Sequence, residues 1–428
     1  MPPDSCFGLM DGNNFYVSCE RLFNPQLHGV PVVVLSNNDG CIVSRSPEAK
    51  AIGVPMGVAF HEARNLLYRH RGKALSSNYE LYGSLSRRMM TLAAQHAGAQ
   101  EIYSIDECFL DFAGLPEPQT RARQLRQAVQ HKLGLPVSIG IGSSKTLAKL
   151  ANLVAKQQPR FGGVFDWQML NAAEQDAQLR AMDVGMVWGI GQRLREQLQR
   201  LGIANAAQLA AANPAWSRQR FGLAMERTVR ELRGEACLDI CDITPPRKQI
   251  HSTRSFAHRL GDLDELRAAI SHHVARSAEK LRAQHSATRL LHVMLRADPP
   301  GRGGGLQRRN WASLSLLLPS TDTRELTRQA LLLLQTLYLP GVRYHKCGVV
   351  LDELVAGDFS RQHDLFLGGE SARGQQLMQT VDSINHRFGR DSIRTGSSLL
   401  GCGRWHMRQD KLSPRCTTRW DELLSAST

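Results

Sequence analysis

Three carboxylates are the side chains of this sequence best placed to do chemistry. Asp11 closes the apolar run in LMDGNNFY (9–16), and the adjacent Asp106 and Glu107 open the run in YSIDECFLDF (103–112). Carboxylates brought together repel, so a fold that converges three of them generally does so to hold divalent cations. Cations held in that way serve phosphoryl or nucleotidyl transfer, a chemistry shared by nucleases, cyclases and polymerases. Asp111 lies farther along the second run and reads as structural.

The elements that must carry these residues follow from apolar runs and turn signals. Residues 6–10 read as a buried strand ending at Asp11, and 31–35 (PVVVL) as another, followed by the turn-rich SNNDG. Residues 101–104 and 108–112 read as hairpin arms with Asp106 and Glu107 at the turn. A basic helix over 120–132, the strand PVSIGIG (136–142) and a helix over 143–156 complete a βαββαβ order, which predicts an antiparallel-centred sheet with helices on one face. Residues 20–78 interrupt it as a small insertion. VWGIGQRLREQLQRLGI (187–203) reads as a helix-hairpin-helix whose turn, at Gly189 and Gly191, offers backbone N–H groups to a DNA phosphate. After a Pro-containing linker, residues 250–351 repeat βαββαβ, with the basic loop DPPGRGGGLQRRN (298–310) either along a phosphate backbone or simply a turn.

With 428 residues, several modules are expected. Lys plus Arg number 53 against 39 Asp plus Glu, a formal charge of +14, which favours a polyanionic partner over a small neutral substrate. Nine cysteines at irregular positions predict free thiols rather than a zinc site or disulfide framework. No run approaches the roughly 18 apolar residues of a membrane span, so no membrane partner and a cytoplasmic location are expected.

LMDGNNFYVSCE, PVVVLSNNDGC, SSNYELY, SIDE, IGIGSSKTLAKLAN, VWGIG and ELRGE occur in the order found in Y-family translesion DNA polymerases. With the ending KLSPRCTTRWDELL, the chain resembles the UmuC-like catalytic subunits of that family over essentially its whole length. The resemblance implies an α+β, multidomain right-hand polymerase. Its parts would be a palm (1–19 and 79–172), fingers (20–78), a thumb with the helix-hairpin-helix (173–236), a linker (237–247), a little finger (248–355) and a clamp- and partner-binding tail (356–428).

It also implies roles. Asp11 and Asp106 would bridge two Mg²⁺ ions, with the Gly12 carbonyl as a further ligand and Mn²⁺ able to substitute. Glu107 would complete the site at the ion that activates a primer 3′ hydroxyl. Tyr16 would be the steric gate against a 2′ hydroxyl, with Phe15 beside it, and Lys156 would contact the triphosphate. Lys50 stands where archaeal relatives have an arginine over the triphosphate, and Pro47 where they have a tyrosine, whose contact proline cannot make. Lys145 and Lys149 read as solvated or DNA-facing. Arg254, Arg259, Arg308 and Arg309 are candidates for phosphate contacts. Gln362, Leu365 and Phe366, in a Q-x-x-L-F pattern, resemble a sliding-clamp peptide.

The partners implied are primer–template DNA, dNTP, a bacterial sliding clamp, a processed UmuD-like dimer and a RecA filament. The setting implied is the SOS response in a bacterial cytoplasm, at the nucleoid when active. A palm-fold nucleotidyl cyclase and a non-catalytic DNA-binding scaffold are the alternatives. The basic modules downstream disfavour the first, and the intact carboxylates disfavour the second.

Overall fold

The computed structural model describes residues 5–241, 245–297, 310–357, 372–401, 403 and 405–423. They fall into two compact units, one drawn from Met1–Ser36, Gly40–Thr244 and Lys411–Thr428, the other from Asn37–Asp39 and Pro245–Asp410.

In the first unit, β1 (Phe7–Gly12) runs into α1 (Phe15–Phe23). A small module follows, with β2 (Val32–Leu35), β3 (Ile42–Arg45), α2 (Pro47–Ala51), α3 (Phe60–Arg69) and β4 (Lys73–Ser76). Its sheet is ordered β3-β2-β4 over a core of Val33, Leu35, Ile42 and Leu67. The chain returns through α4 (Tyr79–Ala94) to β5 (Gln100–Ile102) and β6 (Glu107–Asp111). Next come α5 (Pro118–Leu133), β7 (Val137–Gly142), α6 (Lys145–Gln157) and β8 (Val164–Asp166), which complete a five-stranded sheet ordered β5-β6-β1-β7-β8. β1 is antiparallel to both its neighbours.

The alternation Ile-Gly-Ile-Gly in β7 decides how this sheet is covered. Ile139 and Ile141 join Met10, Cys108 and Leu110 beneath α4 and α5. Gly140 and Gly142 face the other way, where a Cβ would lie 2.0 Å from the Asn152 amide nitrogen and 2.8 Å from that of Ala148. The helix backbone of α6 therefore lies directly on bare strand. Asn152 fixes it there, its Nδ2 donating to the carbonyls of Leu9 (3.1 Å) and Ser138 (2.7 Å). Helices thus cover both faces, not the single face expected from the element order.

Five short helices follow: α7 (Ala172–Ala181), α8 (Gln192–Arg200), α9 (Ala206–Ala211), α10 (Pro214–Phe221) and α11 (Leu223–Leu232). α11 is tied to the start of α6 by the buried Glu231, whose carboxylate accepts from the Thr146 amide at 3.0 Å.

The second unit holds β9 (Ile250–Leu260), α12 (Leu263–Ala283), β10 (Ser286–Ala297), β11 (Trp311–Ser320), α13 (Thr323–Leu337) and β12 (Tyr344–Ala356). The strands form a sheet ordered β11-β10-β12-β9, with α12 and α13 on the core side. α14 (Ala372–Phe388) docks on α12 through Arg282, which forks onto both oxygens of Asp382 at 2.7 Å.

The sparse apolar content of the tail predicts little packing, yet Trp405 is buried in the core of this unit. Residues 411–423 rejoin the first unit, starting where the Lys411 amide donates to Ser76 Oγ at 3.0 Å. A few anchors are enough where the covered surface is already folded. Among the described residues, no helix is long and apolar enough to cross a membrane, and the cysteines are free.

Candidate active site

β1 and β6 bring the three carboxylates to one strand end. Asp11 lies opposite Glu107 in the ladder, and the Gly12 amide donates to the Asp106 carbonyl at 2.8 Å. Ser104 builds the turn, its Oγ accepting from the amides of Asp106 (3.2 Å) and Glu107 (3.0 Å) and donating to Asp106 Oδ1 (2.5 Å). Asp111 sits at the opposite end of β6, its Oδ1 accepting from the Ala113 amide.

Two lysines from α6 reach the site, with Lys156 Nζ 2.6 Å from Asp11 Oδ1 and Lys149 Nζ 2.9 Å from Glu107 Oε1. Burial pushes the Asp11 carboxyl above its ordinary range; Lys156 opposes this, and the charges of Asp106 and Glu107 add to it. An anionic site under that strain is relieved by a cation.

Among the described residues, no group of three or more His, Cys, Asp or Glu is gathered tightly enough to hold a metal ion. Each lysine is paired with one of the carboxylates. The donors are nonetheless hard oxygens converging on one strand end, which suits a divalent cation of the magnesium type once the ammonium groups move away.

Lys149 and Lys145 differ from expectation. Lys149 is boxed by aromatic faces, 4.4 Å from the Tyr103 centroid and 5.1 Å from that of Trp188. Lys145 is buried, its Nζ 2.5 Å from Glu101 Oε2 and 2.7 Å from the Asp239 carbonyl. Neither is solvated. Lys145→Ala leaves the Glu101 carboxylate only the Cys241 amide, at 2.7 Å, with no cation beside it, and is expected to cost about 3 kcal/mol of stability by denaturant midpoint, where a solvated lysine would cost under about 0.5.

Phe15 and Tyr16 open α1 after Asn14, which turns the chain at a φ of 47°. Phe15 is 3% exposed and packs in the core beneath Gly12, where a Cβ would meet its ring at 2.9 Å. Its ring packs in the core, away from the half-buried side that Tyr16 takes. Tyr16 points to the half-buried side. It stacks on Tyr82 at 4.6 Å with 15° between planes, and meets the exposed Tyr79 edge-on at 6.0 Å. Burial first, then Tyr79 and Asp106, push its hydroxyl up to about 12, so it stays neutral beside the carboxylates.

Cations complete the surroundings. Burial lowers the Lys50 ammonium, Arg45 and Lys156 lower it further, and Asp11 opposes them, so these groups share one neighbourhood. Arg45 donates from a terminal nitrogen to the Val54 carbonyl while its Nε is buried without a partner. Pro47 occupies the first position of α2, behind the Ser46 cap. Asn38 and Asp39 form a turn at φ of 60° and 52°.

Residues 10–152 match the impB/mucB/samB family, residues 247–365 its C-terminal domain, and residues 375–426 a domain of unknown function (DUF4113). The chain is 38% identical to Protein SamB of Salmonella typhimurium over 428 residues, covering 98% of this chain and 99% of SamB. The chain belongs to the impB/mucB/samB family. Protein UmuC of Salmonella typhimurium strain LT2 is 37% identical over 98% of this chain and 99% of its own length. DNA polymerase IV 1 of Bacillus subtilis strain 168 is 27% identical over 91% of this chain and 92% of its own. Among solved structures, a Y-family DNA polymerase chimera matches with a TM-score of 0.64 at 20% identity, covering 82% of this chain and 99% of the chimera. The fold is thus the right-hand polymerase fold with palm, fingers, thumb and little finger.

The remaining site residues of this impB/mucB/samB chain are placed unevenly. Gly189 takes a φ of 86°, with open space where a Cβ would be, and Gly191 precedes α8 without a side-chain cap. Arg254 is half-buried, its guanidinium lowered by burial and set near Arg276 and Cys347. It shares strand parity with the buried Ile250 and Phe256, so it faces the helix layer and not the open face of the sheet. That placement argues against a phosphate contact. Arg259 is exposed. Arg308, Arg309, Gln362, Leu365 and Phe366 lie outside the described residues. Arg45, Tyr79 and Tyr82 join the site without having been singled out in the sequence. A basic residue closing the strand before the Ser-Pro helix start was the available signal for the first.

Proposed function

We propose that this protein is a DNA-directed DNA polymerase that adds dNMP to a primer 3′ end across damaged template, by metal-assisted nucleotidyl transfer. The observation that carries the reading is Asp11, Asp106 and Glu107 at one strand end, with Tyr16 in the first turn of the helix that follows Asp11 and Lys156 against Asp11. Asp11, Asp106, Glu107 and the Gly12 carbonyl are the residues that would hold Mg²⁺. Bound there, the metal would supply Lewis-acid activation of the primer hydroxyl and neutralisation of the pyrophosphate leaving group.

The chain's own groups do the rest. Lys156, Lys50 and Arg45 receive the triphosphate, and the unpartnered Arg45 Nε is a donor awaiting an acceptor. Lys156 exchanges its Asp11 partner for phosphate as a mobile point charge. Tyr16, backed by Tyr82, forms the wall beside the sugar. The Gly189–Gly191 turn presents amides to the DNA backbone, and the +14 charge holds the duplex without sequence preference, so affinity falls steeply with salt.

The same reading assigns the protein to error-prone synthesis in the bacterial SOS response, with a UmuD-like dimer, RecA and the sliding clamp as partners. Gln362, Leu365 and Phe366 form the clamp peptide. Replacing Leu365 and Phe366 by Ala is expected to abolish clamp-stimulated extension while leaving distributive extension intact; loss of both would point to misfolding instead. Primer extension with dNTPs and Mg²⁺ tests the function as a whole. Absence of template-dependent product with partner subunits present would reject it.

A further inference from the structure

The wall behind Tyr16 is built partly from the far end of the chain. Tyr16 and Glu20 stand one turn apart on the same face of α1. Tyr82, on α4, stacks on the Tyr16 ring and donates its hydroxyl to Glu20 Oε1 at 2.6 Å. That same oxygen accepts from Ser413 Oγ at 3.0 Å, across 393 positions of sequence. Asn78, which caps α4 through its Oδ1, turns its Nδ2 to Ser413 Oγ (3.0 Å), the Ser413 carbonyl (3.0 Å) and the Pro414 carbonyl (3.3 Å). The strap is anchored on either side. The Ser76 amide donates to the Lys411 carbonyl at 3.0 Å, and Arg415 forks onto Glu422 while reaching Glu80 at 3.7 Å.

Glu20 is 3% exposed. A carboxylate that deep in the fold needs its donors, and the structure gives one from the palm and one from the tail. We infer that Ser413 is a positioning residue for sugar selection: through Glu20 and Tyr82, the C-terminal strap sets the rigidity of the Tyr16 ring. The inference rests on Tyr16 being the sugar gate. It gives the tail a role in the nucleotide pocket itself, separate from recruiting partners. Loss of the Ser413 hydroxyl leaves Glu20 leaning on Tyr82 alone. The Tyr82 ring can then tilt, and Tyr16 yields to a 2′ hydroxyl.

The test is single-nucleotide insertion by the full-length chain, reading the ratio of dNTP to rNTP kcat/KM for wild type, Ser413→Ala, Ser413→Thr and Tyr16→Ala, with the thermal midpoint of each. Ser413→Ala is expected to lower the ratio about ten-fold, the worth of one hydrogen bond to a charged group, and Ser413→Thr to restore it. An unchanged ratio in Ser413→Ala, with a collapsed one in Tyr16→Ala, would overturn the inference and leave the gate standing. An unchanged ratio in Tyr16→Ala would remove the gate and the inference together. A lowered ratio that Ser413→Thr does not restore, falling in step with the thermal midpoint, would mark Ser413 as merely structural and also overturn it.

Discussion

Asp106→Asn is expected to leave a folded protein that extends a primer at least about 10³-fold more slowly than wild type. The asparagine keeps the shape of the turn and still has an oxygen to accept from Ser104 Oγ, which now donates to Asp106 Oδ1 at 2.5 Å. What it loses is a negative charge at the point where three carboxylates converge. Transition-state stabilisation of several kcal/mol disappears with that charge, and each 1.36 kcal/mol is about ten-fold in rate. Stability moves the other way. The charge of Asp106 helps to raise the Asp11 carboxyl, so removing it relieves repulsion at a buried site. A thermal midpoint equal to or above that of wild type, beside lost turnover, separates a catalytic role from a structural one. Coincident loss of both would place Asp106 in the framework.

Tyr16→Ala is expected to raise ribonucleotide insertion by about 10²-fold or more relative to deoxyribonucleotide, with deoxyribonucleotide insertion changed far less. Exclusion of a hydroxyl by a ring depends on the ring's inability to move. Tyr16 is held on two sides, stacked on Tyr82 and edge-on to Tyr79, so a 2′ hydroxyl meets a fixed wall. Alanine opens that space. Tyr16→Phe keeps the ring and loses only a hydroxyl that stays neutral at physiological pH, so it is expected to retain most of the discrimination. Equal discrimination in wild type and Tyr16→Ala, by competitive insertion of dNTP and rNTP, would assign the sugar wall to another residue.

What was legible in the sequence is what local pattern encodes. Asp11, Asp106 and Glu107 announce themselves at the ends of apolar runs, and Glu107 pairs with Asp11 as those runs require. The second βαββαβ module is visible because its strands and helices have clean, different periods. At Arg254 and Phe15, strand parity and helical phase point elsewhere than charge and resemblance do. Arg254 has the parity of Ile250 and Phe256 and so belongs to the inner face, and Phe15 has the helical phase of the buried Cys19, one turn on. Lys145 follows the Ser144 cap at the start of α6, where the Glu101 carboxylate and the Asp239 carbonyl, both distant in sequence, enclose it. Ser413 could not be read at all, because its meaning lies in Glu20 and Asn78, hundreds of positions away.

One measurement bears on the central claim most directly. A primer annealed to a template with an abasic site is given Mg²⁺, dNTPs and the full-length chain, with and without the clamp and partner subunits, and Asp106→Asn serves as control. The account predicts template-dependent extension past the lesion by wild type and none above background by the control. Absence of product from wild type under every condition, or equal product from the control, would contradict it.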